Sequence, residues 1–140
     1  MRILAVDYGD VHTGIAISDD LLMTAQNPSS IRTENDADAI TRILKTAKEN
    51  SVSKIVVGFP KNMDGTLGPQ ARKVQKFASE LSAQFEGEVV LWDERFSTKA
   101  ATRALIEGRV RRKKRRELSD GVSALILLQN YLDSLKGEQG

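Results

Sequence analysis

The chain predicts an α/β fold: a five-stranded mixed sheet, antiparallel over its first three strands and parallel over the last two, with helices on both faces. Three observations carry that prediction. Short apolar runs bounded by turn residues open the chain, and the hydrophobic spacing then changes to helical. Strands and helices alternate thereafter, so the order of elements reads β-β-β-α-β-α-β-α-α. Leading strands joined by short turns form an antiparallel meander, whereas strands separated by helices are added in parallel through right-handed crossovers. The 140 residues suit one domain spanning 1–140, with no internal repeat and no linker.

Each element has its own signal. Ile3-Leu4-Ala5-Val6 is a strand ending in Asp7, and Ile15-Ala16-Ile17 resumes after a turn at Gly9 to Thr13. A weaker strand covers Ser29 to Arg32, after Pro28. Ala37, Ile40, Ile43, Leu44 and Ala47 recur at helical spacing, with Asn35 or Thr33 as the N-cap. Lys54 to Gly58 is a β-branched strand stopped by Pro60. The loop from Lys61 to Gly68 is rich in turn residues, and Pro69 suits the first position of a helix, where its missing N–H costs nothing. Ala71, Val74, Phe77, Ala78, Leu81 and Phe85 line one face of that helix. Glu88 to Trp92 forms the fifth strand. Ser97 caps a helix to Glu107, with Gly108 as its stop. Ser119 caps the last helix, whose apolar face includes Val122, Leu125, Leu128, Leu132 and Leu135.

Composition excludes whole classes of chemistry. Without Cys there is no disulfide framework, no thiolate metal site and no Cys nucleophile, and a single His rules out a His-rich zinc site. No apolar run approaches the ~20 residues that a membrane span needs. Met1-Arg2 leads straight into an apolar strand without the ordered regions of a signal peptide, so the expected location is cytoplasmic. The net charge of +2 hides an asymmetry. Arg109 to Arg116 holds seven basic residues in eight: Arg109, Arg111, Arg112, Lys113, Lys114, Arg115 and Arg116. Without those seven, 14 basic residues face 19 acidic ones, a net of −5. Like charges packed that densely repel, so the segment is either a solvated loop or a contact for nucleic acid.

Acids stand at element ends. Asp7 ends the first strand, Asp93-Glu94 follow the fifth, and Asp120 falls in the first turn of the last helix. Each has an ordinary explanation: a strand-end turn, an ion pair with Arg95, and an acid favoured by the helix dipole. If the two strands run parallel, their acids share one edge of the sheet. Carboxylates crowded there repel unless a cation joins them. Oxygen-only ligands suit Mg²⁺ or Mn²⁺. Two such ions about 3.5–4 Å apart activate a water and stabilise the leaving oxygen of a phosphodiester.

Four sequence blocks resemble the YqgF family, relatives of the RuvC-type Holliday junction resolvases. They are Asp7-Tyr8-Gly9 with Gly14 to Asp19; Val56 to Gly65 followed by Gly68 and Ala71; Asp93-Glu94-Arg95-Phe96-Ser97-Thr98; and Asp120 with Ala124, Ile126 to Gln129, Tyr131 and Leu132. The resemblance spans nearly the whole chain, with the blocks in order. It implies a ribonuclease H-like fold and a nuclease that matures the 5′ end of the small-subunit ribosomal RNA precursor. It implies that Asp7, Glu94 and Asp120 are the catalytic, metal-binding acids, and that Arg95 and Thr98 support the site or touch phosphate. Many family members carry Arg where this chain has Val11-His12-Thr13. In much of the wider superfamily the second acid ends the fourth strand; here that strand ends in Gly58-Phe59-Pro60, so Glu94 serves instead.

The expected partner is nucleic acid, structured RNA first and branched DNA second, with no membrane, and the expected assembly is a monomer or homodimer. A Holliday junction resolvase shares the same chemistry. An RNA-binding assembly factor would need the basic block but not the three acids. An actin-like ATP-binding protein needs two closing domains, and neither a Gly-x-x-x-x-Gly-Lys loop nor a Gly-x-Gly-x-x-Gly fingerprint is present.

Overall fold

The structure is a computed structural model that describes residues 1–62, 64–93 and 119–139. Its elements are β1 (Arg2–Asp7), β2 (His12–Ser18), β3 (Ala25–Arg32), α1 (Asp36–Glu49), β4 (Val52–Phe59), α2 (Pro69–Gln84), β5 (Glu88–Asp93) and α3 (Ser119–Gln139). The helix expected from Ser97 to Glu107 and the basic block lie outside the described residues. Among those described, no helix is long and apolar enough to cross a membrane.

The strands form one sheet in the order β3-β2-β1-β4-β5. β1 is antiparallel to β2 and parallel to β4, and β5 is parallel to β4, as the element order requires. Alternation divides the core in two. Leu4, Val6, Ile55 and Val57 face α1 and α2, where they meet Ile40, Ile43, Phe77 and Leu81. Ile3, Ala5, Ala16 and Val56 face α3, where Ala124, Leu125, Leu128 and Leu132 cover them. Leu128 and Leu132 are fully buried, each worth about 1.5–3 kcal/mol of transfer free energy.

Local chemistry sets the helix starts. Asn35 caps α1, its side chain accepting the Asp38 N–H at 2.8 Å, so Thr33 is not the cap. Pro69 opens α2 after Gly68. Phe85 does not continue the α2 face as expected: it is the C-cap, with extended backbone at ψ 133°, and packs only as a partly buried neighbour of the core. β3 begins at Ala25, earlier than the expected Ser29. Asn27 sits at φ 50° and the β2 pairing shifts register there, so the strand carries Pro28 through a bulge at the sheet edge. His12 opens β2 and is exposed, where the sequence suggested a turn.

The carboxyl ends of β1, β4 and β5 therefore share one edge of the sheet, where α/β proteins place their sites. α3 starts at this edge and runs away from it. Gly121 lies on the β3 backbone at Ser29, which pairs with Ile15, itself the partner of Val6. Two turns later Gln129 Oε1 accepts the Ala25 N–H at 3.1 Å, at the opposite end of β3.

Candidate active site at the carboxyl edge of the sheet

Asp7 is the last residue of β1 and is half-buried. Alternation puts it with Ile3 and Ala5 on the α3 face. Gly14 of β2 is its cross-strand partner. On the other side Val6 pairs with Val57, which makes Gly58 the next neighbour. Gly14 in turn pairs with Ser30, and Gly58 with Trp92. A row thus crosses the sheet as Ser30, Gly14, Asp7, Gly58 and Trp92. Neither strand neighbour projects a side chain beside the Asp7 carboxylate.

Asp120 occupies the first turn of α3. Its neighbour Gly121 fixes that turn over Ser29, two strand spacings from β1, about 10 Å. The backbone of Asp120 is thereby on the same face and at the same edge as Asp7. Asp93 is not: it pairs with Phe59, which belongs to the α1–α2 side of the core. Glu94, Arg95, Thr98 and the cations Arg109, Arg111, Arg112, Lys113, Lys114, Arg115 and Arg116 lie outside the described residues. Among the described residues no three His, Cys, Asp or Glu side chains form a metal-binding group, and Asp7 is the one expected ligand whose side chain is described.

The turn that follows Asp7 is clamped to both helices behind the sheet. The Tyr8 hydroxyl donates to Asp36 Oδ1 at 2.7 Å, and its ring lies 4.5 Å from that of Phe77. Burial, reinforced by the hydrogen bond to Asp36, raises the Tyr8 pKa, so the phenol stays a protonated donor. Lys73 of α2 pairs with Asp10 at 3.3 Å. At Gly9 an added Cβ would lie 2.2 Å from the His12 carbonyl oxygen, so the turn tolerates only glycine. Asp64 closes its own turn, Oδ1 accepting the Thr66 N–H at 3.0 Å and hydroxyl at 2.6 Å.

Sequence reasoning overlooked Tyr8, which anchors the turn beyond Asp7, and Trp92, which ends the row that crosses the sheet through Asp7. Trp92 faces α3, 5.3 Å edge-on to Tyr131, and its buried indole N–H has no partner among the described residues. Tyr131 also accepts from Lys54 at 3.2 Å, and Lys54 pairs with Glu88 at 3.3 Å. An aromatic residue beside a strand-final acid was the available signal in both cases.

Comparison with known proteins adds four findings. A family model described as "RuvX: Holliday junction resolvase" matches residues 1–134. A protein of Clostridium tetani named "Putative pre-16S rRNA nuclease" is 47% identical over 135 residues, 96% of this chain and 98% of that one. A protein of the same name from Bacillus cytotoxicus is 45% identical over 136 residues, 96% and 99% of the two chains. Among solved structures, T. thermophilus RuvC in complex with a Holliday junction superposes with a TM-score of 0.66 at 13% identity, covering 98% of this chain and 96% of that one. That likeness establishes a RuvC-type, ribonuclease H-like fold.

Proposed function

The chain belongs to the RuvX family of Holliday junction resolvases, and on that premise we propose that it is a divalent-metal-dependent nuclease that hydrolyses a phosphodiester bond at the 5′ side of pre-16S rRNA. The observation that carries the reading is the position of Asp7. It stands at a strand end between two glycines, on the face and edge where the first turn of α3 begins. Full-length relatives at 45–47% identity support the choice of RNA.

Asp7, Glu94 and Asp120 are the residues proposed to hold Mg²⁺ or Mn²⁺. Their donors are all carboxylate oxygens, which fits a hard cation. When bound, such an ion polarises the phosphoryl oxygen and lowers the pKa of a water to produce the nucleophile. Asp7 holds its carboxylate in place because the Tyr8–Asp36 and Asp10–Lys73 contacts fix the backbone beyond it. Asp93 faces the opposite layer of the core, which leaves Glu94 as the proposed ligand of that pair. Arg95 and Thr98 are proposed to contact the scissile phosphate. Arg109, Arg111, Arg112, Lys113, Lys114, Arg115 and Arg116 are proposed to neutralise the flanking backbone. A role on a ribosomal precursor puts the protein in the cytoplasm.

The family description and the RuvC likeness favour a second reading, resolution of branched DNA. One experiment separates the two. Purified protein is given 5′-extended 16S precursor RNA and a four-way DNA junction, each with Mg²⁺, Mn²⁺ or chelator. RNA cleavage that needs metal and is lost in Asp7→Asn supports the nuclease. Cleavage of the junction alone replaces it with the resolvase, and binding of RNA without cleavage replaces both with an assembly factor.

A further inference from the structure

We propose that the solvent face of the first two turns of α2 is a second contact surface for the RNA backbone, separate from the Arg109–Arg116 block. The proposal rests on the nuclease reading for the identity of the polyanion, and on charge placement for its position. α1 and α2 leave the same sheet edge, yet their first turns differ. α1 begins with Asp36 and Asp38, the sign that a helix dipole favours there. α2 has no acid in its first turn and no side-chain cap. Arg72, Lys73 and Lys76 follow at once, all exposed, against the direction the dipole favours.

Spacing puts these cations in one stripe. Residues 72 and 76 are one helical turn apart, about 6 Å along the axis, and 73 and 76 are neighbours on the same side. The buried face of α2 is formed by Ala71, Val74, Phe77, Ala78 and Leu81, so the stripe points to solvent. Lys73 is held by Asp10 at 3.3 Å. Neither Arg72 nor Lys76 has an ion-pair partner among the described residues. Lys61 adds a fourth cation at the end of β4, its Nζ 5.7 Å from the Phe59 ring. Glu80, a turn further along, is the next acid on this face.

Location ties the stripe to the site. Asp10 belongs to the turn that follows Asp7, and its pairing with Lys73 ties the N-terminal half of α2 to that turn. An RNA whose scissile phosphate lay at Asp7 and whose flank passed over Gly9 and Asp10 would round the sheet edge toward α2, the helix that carries Arg72 and Lys76. The contacts would be to phosphate and would carry no sequence preference.

The test compares Arg72→Gln/Lys76→Gln with Lys45→Gln/Lys48→Gln. The second pair removes equal charge from the half of α1 remote from the Asp7 edge. All four residues are exposed. Binding of a 5′-extended 16S RNA hairpin is measured in chelator across a range of salt. If each residue neutralises one phosphate, the first variant flattens the log–log slope by about 1.8 relative to wild type, and the control leaves it unchanged. In cleavage assays the first variant raises KM and leaves kcat unchanged, the pattern of lost uniform binding. Equal slopes in the two variants, or a wild-type protein that does not bind the hairpin, overturn the surface. A flattened slope in a protein that binds but never cleaves retains the surface and removes the nuclease.

Discussion

Gly121→Ala tests the seat of α3 and therefore the position of Asp120. A Cβ at residue 121 would lie 2.7 Å from Ser29 N, 3.0 Å from Pro28 C and 3.0 Å from Ser29 O. All three are backbone atoms of a hydrogen-bonded strand, so no rotamer change relieves the contact, and the start of α3 must lift away from β3. Overpacking of this kind costs about 1–3 kcal/mol. Alanine returns about 1 kcal/mol of helix propensity. The net expectation is a loss of about 1 kcal/mol, a fall in Tm of about 3–4 °C for a chain of this length. Activity should fall further than stability, because a shift of about 1 Å at a reacting group costs about 10²-fold. The measurements are urea denaturation and initial cleavage rates on the same preparations. Gly68→Ala is the control, since its Cβ would meet only the Asn62 side chain at 3.4 Å. A Gly121→Ala protein that gains about 1 kcal/mol and cleaves at the wild-type rate would refute the reasoning, because α3 would then not rest on β3 where Asp120 begins.

Other outcomes follow from the proposed roles and from the remaining contacts. Glu94→Gln should keep RNA affinity and lose turnover, whereas Asp93→Asn, on the opposite face of the sheet, should retain cleavage; the reverse result would exchange the two acids. Replacing four cations of the Arg109–Arg116 block with Ser should flatten the salt dependence of duplex binding by about 3.6 if each meets one phosphate, and an unchanged slope would make the block a bystander. Asp19 supplies a pH test away from the site. The Thr24 and Met23 N–H groups, at 3.1 and 2.8 Å, hold its carboxyl below the usual carboxylate range. A lowered folded pKa stabilises above the unfolded value, and that stabilisation is lost as pH falls through the folded value. Asp19→Asn should therefore flatten the acid side of the stability–pH curve, and parallel curves for the two proteins would show that these bonds do not hold the charge.

Strong local signals survived in the fold. β1 and β4 are apolar on both faces because each is buried on both, and such runs have few alternatives. The meander with parallel additions followed from loop lengths alone. β3 was underestimated because Asn27-Pro28 reads as a break, and only an edge position with a bulge makes it tolerable. Phe85 matched the period of α2 but marks its end, since periodicity records burial and not backbone conformation. For the site, Asp7 was readable as a strand-final acid. Its two glycine neighbours were not, because they come from β2 and β4 and only the register brings them beside it. The clamp from Tyr8 to Asp36 joins residues 28 apart, a pairing that no local pattern encodes.

The cover on the Asp7 face has a consequence for the order of synthesis. Ile3, Ala5 and Ala16 are made early, yet the residues that shield them from water, Ala124 to Leu132, belong to the last described element. The bond from Ala25 to Gln129 spans 104 residues, and that from Lys136 to Met23 spans 113. A nascent chain that has already paired its five strands still presents one greasy side of the sheet to the cell, the kind of transient surface that invites aggregation or a chaperone. The same segment carries Asp120. Closure of the core and delivery of that proposed metal ligand are one event, so a half-made chain would be sticky and, on the proposed role of Asp120, inert until the fold is finished.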